Sequence, residues 1–180
     1  MLEAIRSSLA SSSDVTALYA GEDHVTGLVG PCLVLIARRE PDDGIVVEAP
    51  KWVDRLLAAH PKKGGLVVVV QASAPPPSDV ARKRIDRAYG EYGRGVVAGA
   101  MVIEGRGFMA ASIRSALSLM MLTSRYSYPI KTFATPREGA AFVCGRLPGG
   151  DFHAASLVAG IEQLRSAYEA RVGVFSSAAG

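Results

Sequence analysis

Two uninterrupted apolar runs constrain the fold of this chain more than any other feature of its sequence. Leu66–Val70 and Val97–Ile103 contain only aliphatic residues, glycine and one methionine. A strand without polar alternation is buried on both of its faces, and this requires helices on both sides of the sheet. The second run is followed by a helical segment over Phe108–Thr123 and a short strand over Ile130–Phe133. The sequence therefore predicts alternating strands and helices in this part of the chain.

The first part of the chain predicts antiparallel hairpins. Val15–Ala20, His24–Val29 and Cys32–Ala37 are rich in aliphatic and β-branched residues, and turn-forming residues separate them. With the later strands they predict an α/β fold. We expect a mixed sheet of about five strands with packed helices, antiparallel at its beginning and parallel afterwards.

Several local signals mark where helices begin. An apolar stripe from Trp52 onwards predicts a helix that starts at Pro50, since the first turn tolerates a missing N–H. Thr135-Pro136-Arg137-Glu138 has the pattern of a capping box. Ser78 is expected to cap a further helix. The core face of that helix is predicted at Val80, Ile85, Ala88, Tyr89 and Tyr92.

The sequence suggests one domain with a short segment on each side. Residues 1–14 are interpreted as a lead-in with a helical turn around Leu2–Leu9, residues 15–147 as the domain, and residues 148–180 as an extra C-terminal helix. The break is Pro148-Gly149-Gly150. An apolar stripe in the extension either packs back on the core or pairs with another subunit, and we expect a homo-oligomer. The predicted oligomer helix carries Leu157, Ile161, Leu164 and Tyr168.

Composition narrows the function classes. The net charge of +3 argues against an obligate nucleic-acid binder. No apolar run approaches the length of a membrane span, and the N-terminal residues lack the pattern of a secretory signal. Cys32 and Cys144 form no CxxC pair and lie among apolar residues, which favours reduced thiols. We expect a cytoplasmic protein.

The later part of the chain resembles a known family. The matching residues are the strand Val97–Ile103, Gly105-Arg106-Gly107-Phe108, Arg114, Tyr128–Phe133 and Thr135–Phe142. Together with the hairpin start they resemble the STAS domain, which has the SpoIIAA-like fold, and most closely the diverged STAS-like proteins of bacteria. The resemblance covers about Val15 to Leu147.

The resemblance implies a binding and switch module rather than an enzyme. We therefore expect a non-catalytic regulatory or scaffold protein that binds another protein and needs no cofactor. The best-known branch of the family is phosphorylated on a serine in the loop that corresponds to Ala72–Asp79. Ser73 and Ser78 are the candidate phosphosites, although Pro75-Pro76-Pro77 departs from the family pattern.

The turn after Val97–Ile103 is a second candidate site. Residues 105–110 fit G-x-G-x-x-A between a strand and a helix. This pattern fits a tight turn, or an anion or nucleotide sensor at Gly105, Arg106 and Gly107 with help from Arg114. No acidic residue follows the next strand, so a dinucleotide site is not expected. The predicted partner-binding surface on the following helix comprises Arg106, Phe108, Met109, Arg114, Met120 and Met121.

That helix is more apolar than one buried face requires, with Leu117, Leu119 and Leu122 beside its methionines. Three interpretations stay open. The sheet and the C-terminal helix bury it from two sides, it docks a partner through an exposed patch, or it forms the wall of an apolar pocket. The last interpretation makes the protein a carrier of a lipid or another apolar small molecule. The histidines are too far apart in sequence for a metal motif, no nucleophile motif is present, and catalysis is not expected.

Overall fold

A computed structural model describes residues 1–10, 14–40, 42–105, 107–123 and 126–178 of the chain. For residues 108, 109, 116, 120, 122, 123 and 173–178 only the backbone is described. Within these ranges the chain forms six strands and six helices. The strands are β1 Val15–Ala20, β2 His24–Val29, β3 Cys32–Ala37, β4 Gly64–Val70, β5 Val96–Ile103 and β6 Ile130–Phe133. The helices are α1 Leu2–Leu9, α2 Gly44–Ala59, α3 Asp79–Tyr92, α4 Phe108–Thr123, α5 Pro136–Cys144 and α6 Ala154–Ala178.

The strands form one mixed sheet in which their spatial order equals their order in the sequence. Strands β1, β2 and β3 pair antiparallel, and β3 to β6 pair parallel. The predicted α/β class is confirmed. The sheet has six strands, one more than the expected number of about five, because all three N-terminal runs join it and β6 extends it at the other edge.

The direction of the chain explains how the helices are distributed. Parallel strands are joined by right-handed crossovers, and these all lie on one side when each new strand is added at the same edge. Helices α2, α3 and α4 therefore cover one face, which we call the connector face. Helices α1, α5 and α6 cover the other, the terminal face. Adjacent residues of β4 pack on opposite faces: Val67 belongs to the core of the terminal face and Val68 to the core of the connector face.

The terminal face contains the two segments that the sequence places outside the domain. Helix α1 packs on β1 and α6, and α6 packs on β1, β2 and α5. The predicted oligomer stripe of α6 is fully buried in this core, which is the first of the two alternatives for it. These side chains are therefore not a surface for a second subunit, and their assignment as an oligomer helix is corrected. They are Leu157, Ile161, Leu164 and Tyr168.

Glycine allows α6 to lie close to the sheet. A Cβ atom added to Gly160 would stand 2.2 Å from Cγ1 of Val29 on β2. A Cβ atom on Gly27 would be 2.8 Å from the Thr16 carbonyl oxygen and 3.1 Å from Leu164. Because neither glycine has a side chain, the helix and the strand approach each other without a gap.

The local helix signals are mostly confirmed. The hydroxyl of Ser78 accepts a hydrogen bond from the Ala81 N–H, and Thr135 and Glu138 form both bonds of the capping box. The predicted start of α2 is wrong: the helix begins at Gly44 and contains Pro50, because buried residues before Pro50 extend its apolar face. The predicted burial of Val80 is also wrong. Its side chain is 58% exposed, and the core position belongs to its neighbour Ala81.

None of the helices described is both long and apolar enough to cross a membrane.

Candidate ligand-binding site

A cavity of about 300 Å³ lies on the connector face, at the carboxyl ends of the parallel strands. Its floor is formed by two rows of ladder partners on β3, β4 and β5. The upper row contains the last residue of each strand. The rows are Leu35, Val68 and Met101, then Ala37, Val70 and Ile103. The floor is therefore entirely apolar and has the regular spacing of the sheet.

Helices α3 and α4 supply most of the walls. Ile85, Tyr89 and Tyr92 extend from α3, and Ile113 and Leu117 from α4. Helix α3 packs mainly against α2, and α4 packs more closely against β6 than against β5. Since neither helix packs closely over β4 and β5, a space remains between them. In α/β sheets ligands bind outside the carboxyl ends of the strands, usually where the strand order reverses. Here the order does not reverse, and the spacing of the helices provides the cavity.

The loop between β4 and α3 borders the mouth of the cavity. Pro75, Pro76 and Pro77 all line it. Prolines have no N–H, so this stretch presents no unpaired donors towards an apolar space. The loop is held at its end by Ser78, whose N–H and hydroxyl both donate to the carboxylate of Glu40. Glu40 follows β3 and also lines the mouth.

A partly buried ion pair lies at the carboxyl end of β5, beside the mouth. Two nitrogens of Arg165 on α6 lie 2.6 and 3.2 Å from the two carboxylate oxygens of Glu104, which follows β5. Both side chains are less than 20% exposed. Burial lowers the pKa of Arg165, but the hydrogen bond and charge of Glu104 outweigh it, so the net pKa is raised. Glu104 lines the cavity with its charge already compensated from the terminal face.

Three polar side chains line the cavity with polar atoms that form no hydrogen bond to the described residues. The ring nitrogens of His24 and the hydroxyls of Tyr89 and Tyr92 are buried and have no hydrogen-bond partner among the described residues. His24 stacks on Tyr19 at 4.7 Å between ring centroids and meets Trp52 edge-on at 5.9 Å. Burial lowers the pKa of His24 to about 4, with Asp42 acting in the opposite direction. The imidazole is therefore neutral at pH 7.

An open, charged cleft adjoins the mouth. It is lined by Asp23, Arg38, Asp42 and Ser73, with Arg39, Glu40 and Pro75 shared between cleft and cavity. Burial and the charge of Asp42 raise the pKa of Asp23, while Arg39 lowers it. Charges of both signs face this cleft, so it does not form a uniform anion site.

The residues predicted to form a site at the G-x-G turn differ in what they contact. Gly105 and Gly107 have φ of +108° and +86°, which explains the glycines as a tight turn. Gly105 also lines the cavity. Arg114 donates to the carbonyl oxygen of Ile103 at 3.1 Å. Arg106 lies outside the described residues, so the anion site with Arg106 stays a prediction.

The predicted partner-binding surface on α4 is described only in part. Met121 is buried in the core of the connector face. The side chains of Phe108, Met109 and Met120 lie outside the described parts. Leu117 lines the cavity, in accord with the pocket-wall interpretation, whereas Leu119 is 64% exposed. The interpretation that the sheet and the C-terminal helix bury α4 from two sides is wrong, because α6 packs on the opposite face of the sheet.

The candidate phosphosites lie on the loop that borders the cavity. Ser73 is exposed on the charged cleft. Ser78 is the N-cap of α3, and its hydroxyl also contacts Glu40, so a phosphate there would meet a carboxylate. Phosphorylation at either serine stays a prediction.

The sequence analysis missed the importance of His24, Tyr89 and Tyr92. Tyr89 and Tyr92 fall on an apolar stripe and are indistinguishable in sequence from ordinary core residues. The available signal was the position of Pro75–Pro77 in the loop that follows a buried parallel strand, where ligand sites of α/β proteins occur. No group of three or more His, Cys, Asp or Glu residues within the described ranges could hold a metal ion.

Comparison of the chain with protein-family models, with curated proteins and with solved structures finds no significant match in any of the three. The STAS-like resemblance, and the protein-binding function that it implies, therefore stay predictions.

Proposed function

We propose that this protein binds a small, largely apolar molecule in the cavity of the connector face. The observation that carries the proposal is the cavity itself, about 300 Å³ in volume and lined mainly by apolar side chains at the carboxyl ends of three parallel strands. Folded proteins rarely leave a void of this size in their interior, because each lining atom loses its packing contacts. Ligand pockets start at about this volume.

The volume indicates the size of the ligand. An apolar cavity of about 150 Å³ is large enough for benzene. On that scale the present cavity would hold a molecule of about a dozen non-hydrogen atoms. This favours a small hydrophobic compound over a whole membrane lipid, and it narrows the carrier function that the sequence leaves open as an alternative.

Native mass spectrometry and thermal unfolding of the purified protein would test this function. Any molecule that co-purifies should appear as a mass shift that disappears on denaturation. After extraction of such a ligand, naphthalene should raise the unfolding temperature in a concentration-dependent manner, because a compound that binds only the folded state stabilises it. Val68→Phe fills the floor of the cavity and should abolish this response.

The same substitution away from the cavity serves as the control. Val47 on α2 is 62% exposed, and Val47→Phe should keep the full response to naphthalene. If naphthalene stabilises neither the wild type nor the control, the binding proposal is rejected. The protein-interaction function implied by the STAS-like resemblance is then the proposal to pursue.

A further inference from the structure

A cluster of four tyrosines beside the cavity divides into two pairs. Ring contacts of 5.7 to 6.3 Å between centroids join them in the order Tyr92, Tyr89, Tyr126 and Tyr128, of which Tyr89 and Tyr92 lie on α3. The hydroxyl of Tyr128 donates to the carbonyl oxygen of Tyr89 at 3.1 Å, and that of Tyr126 to Asp86 at 2.6 Å. The hydroxyls of Tyr89 and Tyr92 find no partner in the described part of the chain.

The tyrosines whose hydroxyls have no hydrogen-bond partner among the described residues are also the ones that line the cavity. Tyr89 and Tyr92 line it, and the two tyrosines with protein partners do not. A buried hydroxyl without a hydrogen bond is destabilising, and phenylalanine would fill the same space without that cost. Such a hydroxyl therefore calls for a partner outside the described residues, and a ligand in the cavity supplies one.

The charges around the cavity favour a neutral partner. Burial raises the pKa of both Tyr89 and Tyr92, so both hydroxyls keep their proton and can donate as well as accept. Arg39 lines the cavity, but so does the carboxylate of Glu40, while the charge of Glu104 is compensated by Arg165. A carboxylate ligand would approach the like charge of Glu40 and lose its hydration in an apolar space.

Resting on the proposed binding function, we propose that the ligand is a neutral molecule with a hydroxyl or carbonyl oxygen that exchanges hydrogen bonds with Tyr89 and Tyr92. Its remaining surface is apolar and packs on the floor of β3, β4 and β5. Tyr89 and Tyr92 thus select among apolar compounds, while the volume of the cavity limits their size.

Calorimetric titration with three matched probes tests this proposal: naphthalene, 2-naphthol and the anion 2-naphthoate. In Tyr89→Phe and Tyr92→Phe, the affinity for 2-naphthol should fall by about five- to tenfold, the usual effect of one hydrogen bond. Their affinity for naphthalene should stay within about twofold of the wild type, since the ring surface is unchanged. 2-Naphthoate should bind the wild type more weakly than 2-naphthol does.

Tyr128→Phe is the matched control, because it removes a hydroxyl of the same cluster that has a protein partner. It should bind all three probes like the wild type. Its unfolding temperature should fall, whereas Tyr89→Phe and Tyr92→Phe should unfold at or above the wild-type temperature. This second measurement shows whether the variants fold and tests whether the two hydroxyls have a partner within the protein.

The outcomes separate the two proposals. If naphthalene binds but Tyr89→Phe and Tyr92→Phe bind 2-naphthol as the wild type does, the tyrosine inference is overturned and the binding function stands. Stronger binding of 2-naphthoate than of 2-naphthol would overturn the neutral ligand class. If no probe binds, both the inference and the function are rejected.

Discussion

The two faces of the sheet are built from the same strands and yet differ in how completely they are packed. On the terminal face, α6 lies directly on β2 through Gly160 and Gly27, and its apolar stripe is fully buried. On the connector face, α3 and α4 leave a cavity of about 300 Å³ over β4 and β5. Adjacent strand residues such as Val67 and Val68 thus meet close packing on one side and open space on the other. The comparison teaches that the helices, rather than the strands, decide where this fold keeps room for a ligand.

The largest expected effect compares one leucine from each face. Leu164 on α6 is fully buried in the terminal core, whereas Leu117 on α4 borders the cavity. Leu164→Ala should reduce the free energy of unfolding by about 2–5 kcal/mol, because it opens a void where none existed. The loss of unfolding free energy in Leu117→Ala should be at or below the lower end of that range, since part of the Leu117 side chain already faces open space. Chemical denaturation of both variants measures the difference, and equal losses would contradict the contrast between the faces.

A second prediction concerns the pH dependence that the connector face introduces through His24. The pKa of His24 in the folded protein is about 4, below its ordinary value of 6.5. The unfolded chain therefore takes up the proton first as the pH falls. The stability associated with the neutral ring is fully present above pH 6.5 and is lost as the pH falls towards 4. From the difference in pKa, the loss is up to about 3 kcal/mol.

His24→Phe provides the comparison for that pH dependence, because it keeps a ring against Tyr19 and Trp52 but cannot titrate. The difference in unfolding free energy between variant and wild type should change with pH only across this window. Asp23, whose carboxylate lies 4.0 Å from the His24 ring, and Asp42 also face the site, and both are unchanged in the variant. A parallel pH dependence in the two proteins would show that His24 is not buried as a neutral side chain.

The smallest expected effect compares Val67→Phe with Val68→Phe, the same change at adjacent positions of β4. Val67 lies in the filled terminal core, so Val67→Phe should cost about 1–3 kcal/mol of stability through overpacking. Val68 borders the cavity, and Val68→Phe should leave the stability within about 0.5 kcal/mol of the wild type. Thermal unfolding compares the two, and a loss at Val68 as large as that at Val67 would show that the space is not available to a side chain.

Much of the fold could be predicted because its signals are local. The runs Val15–Ala20, His24–Val29 and Cys32–Ala37 coincide with β1, β2 and β3. The caps at Ser78 and Thr135 depend on hydrogen bonds between residues three apart, so their pattern is visible in sequence. The start of α2 was not predicted correctly, because it depends on tertiary packing. Ile45 and Ala49 are buried, so the helix begins before Pro50.

The candidate site was less predictable, because its residues are far apart in sequence. His24 on β2, Met101 on β5 and Tyr89 on α3 line the same cavity. Each of them fits an ordinary core position when only its neighbours are considered. Leu117 lines the cavity, in accord with the pocket-wall interpretation of α4, but the only sequence signal for the space beside it is the proline loop after β4.

The sequence by itself determined that this chain forms an α/β fold with strands buried on both faces of its sheet. Hydrophobic periodicity and capping patterns act over a few residues and are therefore visible in the sequence. Only the tertiary structure decided which face is filled and which is open. That outcome depends on how closely each helix approaches the strands, and thus on contacts such as Gly160 with Val29 across the chain. Packing of this kind is a property of surfaces brought together by folding, and no single segment encodes it.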